Sequence, residues 1–297
     1  MQVSSFMYFL AVADTGSVRK AAANLHVSAS AISRQIKNLE YSFKATLFER
    51  RISGMILTEE GRIIAQHMRR TMREMELAEA KVNDIKGLLS GTISFASIEG
   101  VISSWLLPTM DDFQQHHPNI HFDGRISASE AVYQAVAADQ VDFGIAMQDI
   151  PRPDIEIIEK FETGFKVAMS PNHPLAIFNS LTLTQLTPYP LSMLNENFLT
   201  RQLLNSIAIQ RQLNFTIICN VDHIGMLKSF VLESNGLTIL PDYAVTEEIK
   251  NGSMHIADIN QQEMPHSVTV LCVKKERRMT KAADKFLNII RQVHCGR

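Results

Sequence analysis

With 297 residues, 45% apolar and 20% charged, the chain has the length of two ordinary domains and the composition of a globular protein with a full core. Its longest apolar stretches, such as 6–13 and 268–273, fall far short of the roughly 18–20 residues a membrane helix needs. The N-terminus does not read as a secretory signal, so the expected compartment is the cytoplasm.

Three cysteines, Cys219, Cys272 and Cys295, are odd in number and widely spaced, a pattern of buried thiols rather than of a disulfide framework or a four-cysteine zinc site. The net charge of −2 hides an asymmetry. Residues 1–58 hold seven Lys or Arg against three Asp or Glu, a balance of +4, whereas residues 91–297 hold sixteen against twenty-two, a balance of −6. A small basic module joined to a larger acidic one suggests a nucleic-acid-binding head.

Phe6, Phe9, Leu10 and Ala13 recur at helical spacing, and Thr15-Gly16-Ser17 ends that helix while offering Ser17 as the next cap. A short second helix is predicted over about 18–25, where Ala21 and Ala22 allow close approach, and His26-Val27 breaks it. Ser28 or Ser30 can cap a third helix, whose inward stripe Ile32, Ile36, Leu39 and Phe43 follows i, i+4, i+7 and i+11. This is a helix-turn-helix pattern. Burying the stripe turns Ser30, Ser33, Arg34 and Lys37 outward, a face that fits the DNA major groove with Arg34 as the leading contact. Taken alone, it reads equally as a solvated surface. Residues 49–55 read as a two-stranded wing with Gly54 at its tip, and Arg50 and Arg51 there can reach the minor groove or flanking phosphates.

Thr58, followed by Glu59 and Glu60, opens a long helix predicted to reach about Leu89. Its apolar residues Ile64, Met68, Met72, Met75, Ala78, Val82, Ile85 and Leu89 are spaced 4, 4, 3, 3, 4, 3 and 4, close to a coiled-coil repeat. So narrow a stripe calls for a second copy, with packing on the chain's own later domain as the alternative.

From Ser90-Gly91 the pattern alternates: strands at 92–97, 120–126 and 142–147, helices at 105–116 and 130–138. A second α/β unit follows from about Gly164. It has strands at 165–169 and 215–219, helices near 183–186, 201–212 and 224–234, and then the apolar run 236–241. A late strand at 268–273 and a closing helix at 280–293 return to the first unit, so that two crossing strands join two lobes around a cleft.

This order of parts resembles the LysR-type transcriptional regulators over the whole chain. The most specific segment is 21–40, AAANLHVSASAISRQIKNLE, continued by Leu47-Phe48-Glu49-Arg50 and Leu57-Thr58-Glu59-Glu60-Gly61, with a weaker echo at 235–241. The resemblance implies an α+β multidomain fold: a winged helix-turn-helix DNA-binding domain at 1–58 and a linker and dimerisation helix at 59–90. An effector-binding regulatory domain at 91–297 is similar to type 2 periplasmic binding proteins, with lobe I at about 91–163 and 267–297 and lobe II at about 164–266. Two departures stand out. Ala29 and Ser30 replace a Gln-Pro pair of the family, which implies an unusual sequence preference, and Lys44 stands roughly where the family favours Gly.

The match places DNA contacts at Ser28, Ala29, Ser30, Ser33 and Arg34, with Arg50 and Arg51 in the wing. The implied partners are double-stranded DNA, RNA polymerase, a second copy of the chain in a homodimer or homotetramer, and a small-molecule effector; no cofactor is implied. The match places effector contacts at Gly100, Val101, Ser129 and Met147 on one lobe and Asn197, Phe198, His223 and Ile224 on the other. Ser127 and Ser129 also precede a helix whose free N–H groups favour an anion, which suggests a small carboxylate; plain serine capping is the alternative.

No nucleophile elbow, phosphate-binding glycine loop or His-Glu-x-x-His motif occurs, so an enzyme is not expected. His116 and His117 are adjacent and, on a helix, point apart, so no metal is expected there. His223 is read as a ligand contact or as a partner of a backbone carbonyl. Two other functions remain in play: a LysR-type regulator sensing oxidant through Cys or Met, and a solute-binding module without DNA function.

Overall fold

The computed structural model describes residues 3–52, 54–85, 89–148, 150–234 and 236–294, and the chain divides into two units, 1–87 and 88–297. Ser53 in the predicted wing, Asn235 at the head of the 235–241 segment, and Cys295 lie outside the described residues.

In the first unit, helices α1 (Val3–Thr15), α2 (Val18–Asn24) and α3 (Ala29–Phe43) precede strands β1 (Phe48–Arg51) and β2 (Gly54–Leu57), and α4 runs Glu59–Ile85. The starts of α2, α3 and α4 each have a cap. Ser17 Oγ accepts from the Lys20 N–H, Ser28 Oγ from the Ala31 N–H at 3.2 Å, and Thr58 Oγ1 from the Gly61 N–H at 2.9 Å. Lys44 ends α3 at φ +50°, so the left-handed turn that suits glycine is made here by lysine. Gly61 is a place where only glycine fits, because a Cβ there would stand 2.1 Å from the Leu47 carbonyl oxygen. Phe9, Val12, Ala21, Ala22, Ile32, Ile36, Leu39, Leu47 and Phe48 make the core.

The second unit contains strands β3 (Gly91–Ser97), β4 (Ile120–Ile126), β5 (Phe143–Met147), β6 (Ile155–Thr163) and β7 (Phe165–Met169). These are followed by β8 (Ser180–Leu181), β9 (Leu191–Leu194), β10 (Ile217–Val221), β11 (Leu237–Pro241), β12 (His255–Ile259) and β13 (Ser267–Lys274). Its helices are α5 (Leu107–His116), α6 (Ser129–Ala137), α7 (Leu183–Leu186), α8 (Leu199–Arg211), α9 (Ile224–Ser234), α10 (Thr246–Asn251) and α11 (Lys281–His294). Two sheets form, one in the order β4-β3-β5-β13-β6 and the other β10-β9-β11-β7-β12-β8. The chain crosses between them at Gly164 and again between β12 and β13, where Thr163 and Thr269 share a buried hydroxyl contact of 2.7 Å. Helix α11 returns to the first sheet, where Phe286 meets Phe113, Phe122 and Phe143 at 5.2, 5.0 and 5.9 Å between ring centres.

Several expectations are corrected. Phe43 is exposed, because α3 ends there and the inward stripe closes at Leu39. Gly54 is not the wing tip: it pairs with Arg51 as the first residue of β2, and the close approach of the Gly16 carbonyl, 2.5 Å from where a Cβ would stand, explains the glycine. Strands β6, β8, β9 and β12 and helix α10 were not foreseen; β6, IEIIEKFET, carries too many charges to read as a strand, yet it pairs along its length with β13. A π-helical turn over Ile102–Leu106 runs directly into α5, so helical structure starts three residues before the predicted Trp105.

The proposed seam also changes. Ile64 and Met68 belong to the head, since the first turns of α4 complete its core and leave Met68 only 3% exposed. The described helix ends at Ile85, whose side chain lies outside the described residues. Leu89 is not helical and packs on the core of the second unit. Met72 remains half-buried on α4, and Met75 and Val82 are exposed.

Candidate functional site

Two surfaces qualify. On α3 the buried residues Ile32, Ile36 and Leu39 leave Ser30, Ser33, Arg34 and Lys37 exposed along the opposite face. Ser28 sits at the helix start with its hydroxyl 3.1 Å from that of Ser30, and both are exposed. Ala29 is half-buried against the head core, so it adds no polar group to this face. Gln35 is held away by the Ser5 hydroxyl, which donates to its Oε1 at 2.8 Å. Arg50 and Arg51 are exposed on β1, and Arg51 donates to Glu49 at 2.9 Å.

The second surface is a cleft of about 250 Å³ in the second unit. One wall carries Ile98, Glu99, Gly100, Ser129, Tyr133 and Met147, and the other Leu194, Asn197, Phe198, Thr200, Gln202 and Ile224. Of the nine residues expected there, Gly100, Ser129, Met147, Asn197, Phe198 and Ile224 line it, and Val101, Ser127 and His223 do not. Val101 is fully buried in the core beneath Gly100. Ser127 is half-buried outside the lining, and its N–H is spent on the Ser97 carbonyl. His223 is an exposed capping group: its Nδ1 accepts from the Met226 N–H at 3.2 Å and stands 3.4 Å from Glu99 Oε1.

Ser129 does not cap α6; its Oγ accepts from the Met147 N–H at 3.0 Å, tying α6 to β5. The cap is Ala128, which has no side-chain hydrogen bond to give, and Phe198 likewise starts α8 with none. Two helix starts therefore face the cleft with no capping bond from their own N-cap side chains, and among the described residues no other side chain fills those donors.

Charged and aromatic lining residues that went unforeseen are Glu99, Glu130, Tyr133 and Tyr243. Arg152 donates to Glu130 at 2.6 Å, holding that carboxyl below the usual range, and its guanidinium lies 4.6 Å above the Tyr133 ring. Burial raises the Tyr243 phenol, keeping it neutral. Of these, only Glu130 figured in the sequence analysis, and there only as the first residue of the helix predicted over 130–138.

The histidine pair is spent locally, with His116 Nδ1 2.8 Å from the Asp112 carbonyl and His117 Nε2 2.9 Å from Lys285 Nζ. Among the described residues no group of three or more His, Cys, Asp or Glu is arranged to hold a metal, and no helix is long and apolar enough to cross a membrane. Cys272 is fully buried, and burial pushes its thiol up to about 12. Cys219, expected to be buried, is half-exposed because β10 is the edge strand of its sheet.

These surfaces can be set beside known proteins. Residues 3–62 match the family described as bacterial regulatory helix-turn-helix protein, lysR family, and residues 86–294 the LysR substrate binding domain. A probable RuBisCO transcriptional regulator of Thalassiosira pseudonana is 26% identical over 289 residues, covering 94% of each chain. Among solved structures, a full-length OxyR variant from Pseudomonas aeruginosa aligns with a TM-score of 0.72 at 18% identity, covering 98% of this chain and 95% of that one. Full-length CbnR in complex with its target DNA aligns with a TM-score of 0.65 at 18% identity, covering 98% and 99%. With both of its parts matched, a DNA-binding head and an effector-binding domain of two sheets around a cleft, the chain belongs to the LysR-type transcriptional regulators.

Proposed function

We propose that this regulator reads DNA through α3 and the wing and is controlled by a small molecule in the cleft of its second unit. The observation that carries the reading is the division of α3 into a buried apolar stripe and an exposed face of Ser30, Ser33, Arg34 and Lys37, which leaves small groups and cations free for a duplex. Ser28 positions the helix start, and Arg50 and Arg51 supply phosphate or minor-groove contacts. The CbnR structure, which holds its target DNA, shares this fold.

Arg34→Ala is expected to weaken binding to operator fragments selected from genomic DNA by about 1–3 kcal/mol, or roughly five- to 150-fold, because a groove contact is lost while the fold is not. Electrophoretic mobility shift checks this, with circular dichroism as control. Unchanged affinity would remove Arg34 from the interface.

The cleft is a little below the usual range of about 300–1,000 Å³, which fits a small effector, and the uncapped starts of α6 and α8 favour a carboxylate on it. Gly100, Ser129, Met147, Asn197, Phe198 and Ile224 are the contacts we assign. Screening small carboxylic acids by thermal shift should return a stabilising ligand, and Ser129→Trp should abolish that shift. A ligand that stabilises both proteins equally binds elsewhere.

The working form is a homo-oligomer joined through α4, acting on chromosomal operators in the cytoplasm, where RNA polymerase is the downstream partner. The relatives are transcriptional regulators, and no catalytic role is assigned. Thiol sensing has less support, since Cys272 carries almost no thiolate at neutral pH.

A further inference from the structure

Glu99 lies in the turn after β3, in the first lobe, and its carboxylate reaches the start of α9 in the second. Its Oε2 accepts from the Ile224 N–H at 2.9 Å and its Oε1 from the Gly225 N–H at 3.2 Å. The next donor, the Met226 N–H, is taken by His223 Nδ1, and the Leu227 N–H already makes the first helical bond to the His223 carbonyl. Every N–H in the first turn of α9 is therefore satisfied from within the chain. Glu99 and Ile224 both line the cleft, so this contact forms part of its wall, and Glu99 and Glu130 are the only charged side chains in that lining among the described residues.

We propose that Glu99 is a built-in occupant of the anion seat at α9: it latches the two lobes together and denies that seat to a carboxylate ligand. A carboxylate entering the cleft is thereby directed to α6 and α8, and the wall at α9 presents an acceptor to whatever group faces it. Glu99 is a specificity-determining residue whose effect is to orient the effector.

The regulatory meaning rests on the cleft being the effector site, but the latch is read first by comparing parent and variant in chloride alone, with no carboxylate present, so the two readings fail separately. Hydrogen exchange of the full chain, read by mass spectrometry on the peptide spanning Ile224 and Gly225, is the measurement. In Glu99→Ala that peptide should exchange on the order of ten- to a hundredfold faster, as expected for loss of bonds to a charged acceptor. Acetate at tens of millimolar, against chloride at equal ionic strength, should restore protection in the variant by taking the vacated seat and should change nothing in the parent protein. Glu99→Gln, which keeps the shape and one acceptor, should be intermediate and carries the test if the alanine variant does not fold. Exchange at α9 unchanged in both variants, or acetate protecting the parent as strongly as Glu99→Ala, would overturn the proposal.

Discussion

Arg277→Met is expected to destabilise the second unit by about 3–5 kcal/mol, the range seen when one partner of a buried ion pair is removed. The guanidinium is 3% exposed and donates to both Asp139 and Asp142, themselves nearly buried. Asp142 is further bound by the N–H and hydroxyl of Ser94, each at 2.8 Å, so the cluster joins the turn after β13 to the α6–β5 loop and to β3. Without the arginine, two carboxylates in a poorly solvated site lose the cation that binds them both, and that loss of charge balance is the larger part of the cost. For a unit of this size the loss corresponds to a fall in Tm of about 10 °C. Arg277→Lys should recover little, because an ammonium does not span two carboxylates as a planar fork does. Adding Asp139→Asn and Asp142→Asn to Arg277→Met should recover a good part of the loss. Urea unfolding of the four proteins checks the set; a loss below 1 kcal/mol for Arg277→Met would mean that water solvates the cluster.

Met75→Glu with Val82→Glu is expected to turn the oligomer into monomers. The two positions are seven residues apart, on one face of α4, and are 48% and 52% exposed in the single chain. A helix that displays methionine and valine at that spacing gains by burying them against a copy of itself, and glutamate there would bury charge without a partner, at a few kcal/mol per site. Each 1.4 kcal/mol is a tenfold change in dissociation constant, so four glutamates per dimer outweigh an ordinary helical interface. Sedimentation velocity should show a single species of monomer mass, and operator affinity should fall with it because two half-sites are no longer bound together. An oligomer of parental mass would remove α4 as the interface.

The head was nearly all legible because its signals are local. Ser17 and Ser28 cap helices within three residues of themselves, and the 3.6-residue period alone separates Ile32, Ile36 and Leu39 from Ser33, Arg34 and Lys37. The same period misled on α4. Ile64 and Met68 continue the stripe of Met72 and Met75 without a break, yet the first pair faces the head core, and periodicity says which face is apolar but not what covers it. In the cleft, six of nine expected residues came together, and the three misses have one cause. Val101, Ser127 and His223 are sequence neighbours of lining residues, and a turn of one position sends a side chain into the core or to the outer surface.

From its amino acids alone this protein disclosed a basic three-helix head with a reading face, a long helix with an apolar stripe, and an acidic α/β remainder, since capping, periodicity and charge balance act over a few residues. The tertiary structure alone decided the rest: that Glu99 meets Ile224 across 125 residues, that Arg277 meets Asp139 across 138, and that Ser129 holds Met147 instead of capping α6. Such pairs depend on strand order and on where the chain crosses between sheets. A strand with as many charges as β6 can still be a full member of a sheet once β13 lies beside it, and no window of sequence contains both.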